Sequence, residues 1–157
     1  MARARGDNKT LDLLSWKAER TNIERFPQEA VRAATIAAKI SRAISQILTD
    51  AKNRETNPID RAAVAQLMGE FLGEDVSKNV LDAYASQARD GHSITLNRAV
   101  ALMHATQDYR LLTLIADEIG LAVIPRQYEG TVREAILAEK IDELQGELSS
   151  LRRGRRS

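Results

Sequence analysis

With 157 residues and a formal net charge of +1, the chain has room for one buried core with appendages. The absence of cysteine excludes disulfides and thiolate metal sites, and no apolar run approaches the roughly 18 residues of a membrane span. Aromatics are only 4% of a chain rich in Ala, Leu and Ile, and three prolines interrupt it, which points to an all-α fold.

Residues 1–27 read as an N-terminal arm. The basic start MARARGDNK is not followed by an apolar stretch, so no signal peptide is expected and the protein reads as cytosolic. The arm carries six basic and four acidic groups, and Leu11, Leu13, Leu14 and Trp16 cluster in LDLLSWK. A tryptophan in a polar arm is expected to tuck onto its own core or onto a partner. From Gln28 a helix is predicted to about Ala51, with Ile36, Ile40, Ile44, Ile47 and Leu48 forming one apolar stripe. The polar stretch AKNRETNP follows as a loop, and Pro58 suits entry to the next element.

Residues 59–87 predict two short helices around a tight polar break. Asp60 can cap the first, whose inward face is expected to be Val64, Leu67, Met68, Phe71 and Leu72. Gly73 stands where that helix must stop, since glycine enters the left-handed cap conformation without a Cβ penalty. Ser77 is the natural N-cap of the second helix, which turns Val80, Leu81 and Tyr84 inward. Lys78, Asn79, Asp82 and Ser86 share its opposite, polar face. Two helices joined by so short a turn are how small proteins offer a recognition helix to DNA.

After the loop RDGHS a further helix is expected from Thr95, using Leu96, Val100, Leu102 and Met103, and breaking at ATQD. The next carries Leu111, Leu112, Leu114, Ile115 and Ile119 and is stopped by Gly120. Residues 121–130 include the β-favouring run LAVIPRQY, an extended segment whose pair as a strand would have to come from a second copy. A final helix is predicted over about 131–153. In it Leu137, Ile141, Leu144, Leu148 and Leu151 recur at heptad spacing, with Ile141 and Leu148 at a and the others at d. That seam is expected to pair with a second chain, making a homodimer or higher homo-oligomer, although packing on its own core is the other use of such a stripe. The basic tail to residue 157 ends in RRGRRS.

Ala65, Gly73, Val76, Ser77 and Leu81, set within five helices in this order, resemble the Cro/repressor-type helix-turn-helix domain over roughly residues 36–120. In the usual pattern the glycine follows the alanine by four residues. Gly69 does so here, but helix-forming EFL follows it, so the turn is placed at Gly73 and the first helix is longer by a turn. The arrangement of LDLLSWK, LDAYASQARDGHSITLNRAVALMHAT, GLAVIPRQY and the Leu-rich basic tail is similar to small early-region regulators of Mu-like transposable phages. The resemblance implies a phage-encoded DNA-binding regulator, with residues 28–120 as the helix-turn-helix domain, in the cytoplasm of a bacterial host cell. On that placement Ser77, Lys78, Asn79, Asp82 and Ser86 would face the major groove of double-stranded DNA.

Arg61, at the start of the first helix of the pair, and Thr95, Asn97 and Arg98, at the start of the one after it, suit backbone phosphates. Arg3, Arg5 and Lys9 resemble an arm that enters a minor groove or lies along the DNA backbone, and Arg152, Arg153, Arg155 and Arg156 offer the same at the other end. Residues 61–107 are slightly acidic, with four basic and five acidic groups, so affinity must lean on those arms and on a second subunit. Catalytic constellations are absent from the pattern: His92 and His104 make no zinc spacing, and no nucleophile elbow or phosphate loop frames the serines. No enzyme, cofactor, metal or membrane role is expected. The competing reading is a helical interaction adaptor without base readout.

Overall fold

The computed structural model describes residues 23–86 and 93–155. These residues form helices α1 (Gln28–Val31), α2 (Ile36–Lys52), α3 (Arg61–Leu72), α4 (Lys78–Tyr84), α5 (Leu96–Thr106), α6 (Arg110–Glu118) and α7 (Glu129–Gly154). A single 3-10 turn, Arg126–Tyr128, precedes α7, and no strand occurs among the described residues. The fold of the described chain is all-α.

The helix expected from Gln28 to Ala51 is interrupted. Arg32 is extended, and Thr35 is an extended N-cap whose side chain accepts a hydrogen bond from Ala38 N–H at 3.2 Å. A threonine in that role starts a new helix rather than continuing an old one. The break lets α1 fold back on α2, bringing Phe26 and Val31 into the core and leaving Ile36 exposed. Phe26 of the arm is thus a core residue, and Arg25 beside it pairs with Asp117 at 2.9 Å.

Ile44, Ile47 and Leu48 of α2 are enclosed with Val64 and Met68 of α3, Leu81 of α4, Leu102 of α5 and Leu111 of α6. The α3 helix packs chiefly on α5. Ala65 and Met68 of α3 and Ala99 and Ala101 of α5 are buried. The inward faces are narrower than expected: Leu67, Phe71, Leu96 and Val100 are exposed, as are Leu112 and Ile119 of and after α6. Phe71 stacks on the exposed His104 with ring centroids 4.4 Å apart.

Helix ends follow local chemistry. Gln107 ends α5 with φ at 52°, and its side chain donates to the His104 carbonyl at 2.7 Å. Gly120 ends α6 with φ at 75°. Its N–H reaches Asp117 O at 3.2 Å while Leu121 N–H reaches Ala116 O at 2.9 Å, the paired bonds of a Schellman cap. The possible strand over residues 121–128 is not seen in the described chain. Residues 121–125 run without regular structure into the 3-10 turn, where Pro125 offers no N–H and no neighbouring strand is available.

The α7 helix has 26 residues and buries none of them. Its packing is against the 3-10 turn that leads into it. Leu137, Ile141, Leu144, Leu148 and Leu151 stay between 47% and 67% exposed, so the stripe does not pack on the chain's own core. No helix of the described residues is long and apolar enough to cross a membrane.

Candidate nucleic-acid interface

The α3–turn–α4 unit is held at each joint by an identifiable contact. Ile59 N–H donates to Ala51 O at 3.0 Å, tying the entry of α3 to α2, and Asp60 accepts from Ala63 N–H at 2.8 Å as its N-cap. Gly73 ends α3 with φ at 69°, and both Gly73 and Glu74 donate to the Gly69 carbonyl, at 2.8 and 3.2 Å. The turn therefore runs from Gly73 to Ser77, and α3 keeps its extra turn. Ser77 is the extended N-cap residue of α4, although its side chain makes no capping bond. Leu81, Ala83 and Tyr84 anchor α4 to the body.

Gly69 has a second role that sequence reasoning missed. A Cβ built there would lie 2.7 Å from the Glu74 carbonyl oxygen, so the turn folds directly over this residue. The spacing from Ala65 was the available signal. Gly69→Ala should therefore destabilise the protein by about 1 kcal/mol, because overpacking against backbone outweighs the helix-propensity gain of alanine. Urea unfolding checks this; a stabilised variant would mean that the turn yields freely.

Lys78 and Asn79 lie exposed on the outer side of α4, and Ser77 is exposed just before it. Asp82 shares that side but is ion-paired with Arg61, so the structure joins one residue expected at bases to one expected at phosphates. Ser86 is half-buried two residues past the end of α4, and its N–H donates to Ala83 O at 3.3 Å. Thr95 is the N-cap residue of α5 without a side-chain cap bond, and Asn97 is exposed in the first turn.

Arg98 is turned to internal work. Its Nε donates to Glu74 at 3.0 Å and its guanidinium to the Tyr84 hydroxyl at 2.7 Å, so it ties the turn and the end of α4 to the start of α5. Those bonds, Tyr84 first and Glu74 second, raise its pKa above the ordinary value for arginine. Arg3, Arg5, Lys9, Trp16, His92 and Arg156 lie outside the described residues. Arg152, Arg153 and Arg155 close the far end of α7.

The family model of phage regulatory protein CII (CP76) matches residues 56–153, more than half of the chain. The chain belongs to that family. The matched region opens in the loop before α3 and runs through α7, so the CII (CP76) unit includes both the helix pair and the heptad helix, while α1 and α2 precede it. The family description names a phage regulator; it speaks neither of Mu-like phages nor of a Cro/repressor domain. No curated protein and no solved structure matches the chain significantly.

Proposed function

We propose that the chain is a sequence-specific, DNA-binding transcriptional regulator of a phage, acting as a dimer or higher oligomer in the host cytoplasm. In this reading α3 and α4 form a stretched helix-turn-helix of Cro/repressor type, and α4 enters the major groove. Membership of a phage regulator family supports it. The observation that carries it is the outer side of α4, where Lys78 and Asn79 are exposed beside a turn locked by Gly69, Gly73 and Arg98. Lysine can donate to guanine, and asparagine can pair with adenine through N6 and N7 on its major-groove edge. The basic ends supply backbone affinity, α7 supplies the second subunit, and no catalytic group, cofactor or metal is assigned. Residues 28–120 would then be the DNA-binding domain, with 1–27 and 131–157 as appended arms.

The test is gel retardation with duplex DNA from the protein's own genetic locus at about 50 mM salt, where electrostatic affinity is strongest. No retardation there overturns the reading. An adaptor that binds another protein is the second reading, and the exposed Leu67 and Phe71 beside His104 favour it. Replacing Lys78 and Asn79 together by alanine separates the two. DNA readout predicts that discrimination between the cognate and an unrelated duplex falls at least tenfold with the oligomer intact, because a good bidentate contact is worth about 1–3 kcal/mol. The adaptor predicts no change.

A further inference from the structure

Most cations of the helical body are already engaged. Arg25 holds Asp117, Lys39 holds Glu118, Arg61 holds Asp82, Arg98 holds Glu74, and Arg110 holds Asp50 and Asp108. Arg42 and Arg54 donate to the carbonyls of Arg32 and Thr106, both at 2.6 Å. Among the described residues from 23 to 120, only Arg32, Lys52 and Lys78 make no such bond. Arg32 lies in a different groove, beside Glu29, Asp117 and Glu118. Lys52 and Lys78 line one groove together, where the last turn of α2 meets the first turns of α3 and α4.

Two carboxylates share that groove, and both are occupied. Asp60 caps Ala63 N–H, and Asp82 is held by Arg61. Arg61 offsets Asp82, and the two lysines outweigh Asp60, so the groove keeps a formal charge of +1, with the exposed Thr49 and Asn53 as neutral hydrogen-bonding neighbours. Lys78 belongs to the recognition helix, whereas Lys52 comes from α2, outside the residues shared with the CII (CP76) family. The groove therefore runs along the flank of α4, where a DNA strand passes when such a helix enters the major groove.

We propose that Lys52, on the wall of the groove that Lys78 also lines, binds a backbone phosphate of the duplex beside the major groove that α4 enters, an assignment that rests on the DNA-binding reading above. The ligand is a phosphodiester of double-stranded DNA, and the contact is blind to sequence. It gives α2, which would otherwise only supply core residues, a part in affinity. A lysine in the last turn of a helix also complements the helix dipole, so the test needs a readout that dipole pairing would not move.

That readout is the slope of log affinity against log salt for the full-length chain, measured on a cognate and an unrelated duplex. Removing the partner of one phosphate reduces the slope by about 0.9 for duplex DNA. Lys52→Gln is expected to lower it by about that amount on both duplexes. Between 50 and 200 mM salt the variant would lose about threefold less affinity than the parent. Lys52→Arg should keep the parent slope. A parent slope in Lys52→Gln overturns the proposal while leaving the DNA reading intact. A parent protein that binds no DNA overturns both. Repeating the titration with phosphate in place of chloride at equal ionic strength separates the sources: an added loss of DNA binding in the parent that Lys52→Gln abolishes would show a free-anion site and overturn the duplex assignment.

Discussion

Alanine in place of Arg110 should lower the unfolding free energy by about 3 kcal/mol, a large share of what a small domain possesses. Arg110 sits at the start of α6 with its side chain 16% exposed, beside an Asp108 carboxylate only 8% exposed. Its Nε reaches both oxygens of Asp108, at 3.0 and 3.1 Å, and one terminal nitrogen donates to Asp108 and to Asp50 at 2.6 Å each. The guanidinium carbon lies 4.5 Å over the centre of the Phe26 ring. One side chain thus ties α6, the end of α2 and the residues before α1 together. Removing it strands Asp108 almost out of water with one backbone N–H, that of residue 110 at 3.1 Å, as its remaining donor. That desolvated charge, more than the missing attraction, is what makes the substitution severe.

The pKa of Arg110 is raised above its ordinary value, first by the hydrogen bond to Asp108 and then by that to Asp50, against the opposing effect of burial. A raised value on a cation means that its contribution is fully present below the unfolded pKa and lost only above it. No pH at which the protein would be handled discharges the group. Adding Asp108→Ala to Arg110→Ala should recover part of the loss, since it removes the stranded carboxylate. Urea unfolding of the two single variants and the double variant measures this. If Arg110→Ala costs under about 1 kcal/mol, the cluster behaves as a solvated surface pair.

What could be read along the chain was what short-range chemistry decides. Asp60, Gly73, Ser77, Thr95 and Gly120 all stand at the helix boundaries their side chains or backbone freedom suggested. The period of the apolar residues located α3, α5 and α6 and inward residues such as Val64, Met68, Leu102 and Leu111, but it gave these helices wider inward faces than the fold uses. A helix such as α3 has apolar residues over more than one face, and the seam goes to whichever face fits its partner most closely. Here Ala65 and Ala99, which carry little hydrophobic signal, are buried while the larger Leu67 and Phe71 are exposed. Thr35 was a helix-start signal overlooked inside the isoleucine stripe of α2.

The candidate site shows the same division. The outer side of α4 was legible because seven residues of helix and one cap define it. The engagement of Asp82 by Arg61, 21 residues away, and of Tyr84 by Arg98, 14 residues away, was not. Charge counting over residues 61–107 treats every lysine and arginine as equally able to meet a phosphate. The fold does not, since it uses Arg61, Arg98 and Arg110 internally and leaves Lys52 and Lys78 outside.

Ending the chain after Gly130 should convert the protein to a monomer and reduce its affinity for a symmetric DNA site by about 100-fold or more, the scale on which linked binding events reinforce one another. Because α7 buries no residue, the same truncation should change the stability of the body by less than about 1 kcal/mol. The heptad places isoleucine and leucine at a and leucine at every d, a combination suited to two strands. In a parallel pair Glu147 at g also meets Arg152 of the partner helix at e, an opposite-charge contact made twice. Truncation removes the terminal arginines too, so Leu144→Asp with Leu148→Asp in the full chain is the sharper variant. It keeps every basic group while placing charge in the seam, and should dissociate the oligomer and lower DNA affinity together. Mass in solution and gel retardation measure the two effects. An unchanged mass in either variant would remove α7 as the source of self-association, and a monomer with undiminished affinity would show that one α3–α4 unit suffices on DNA.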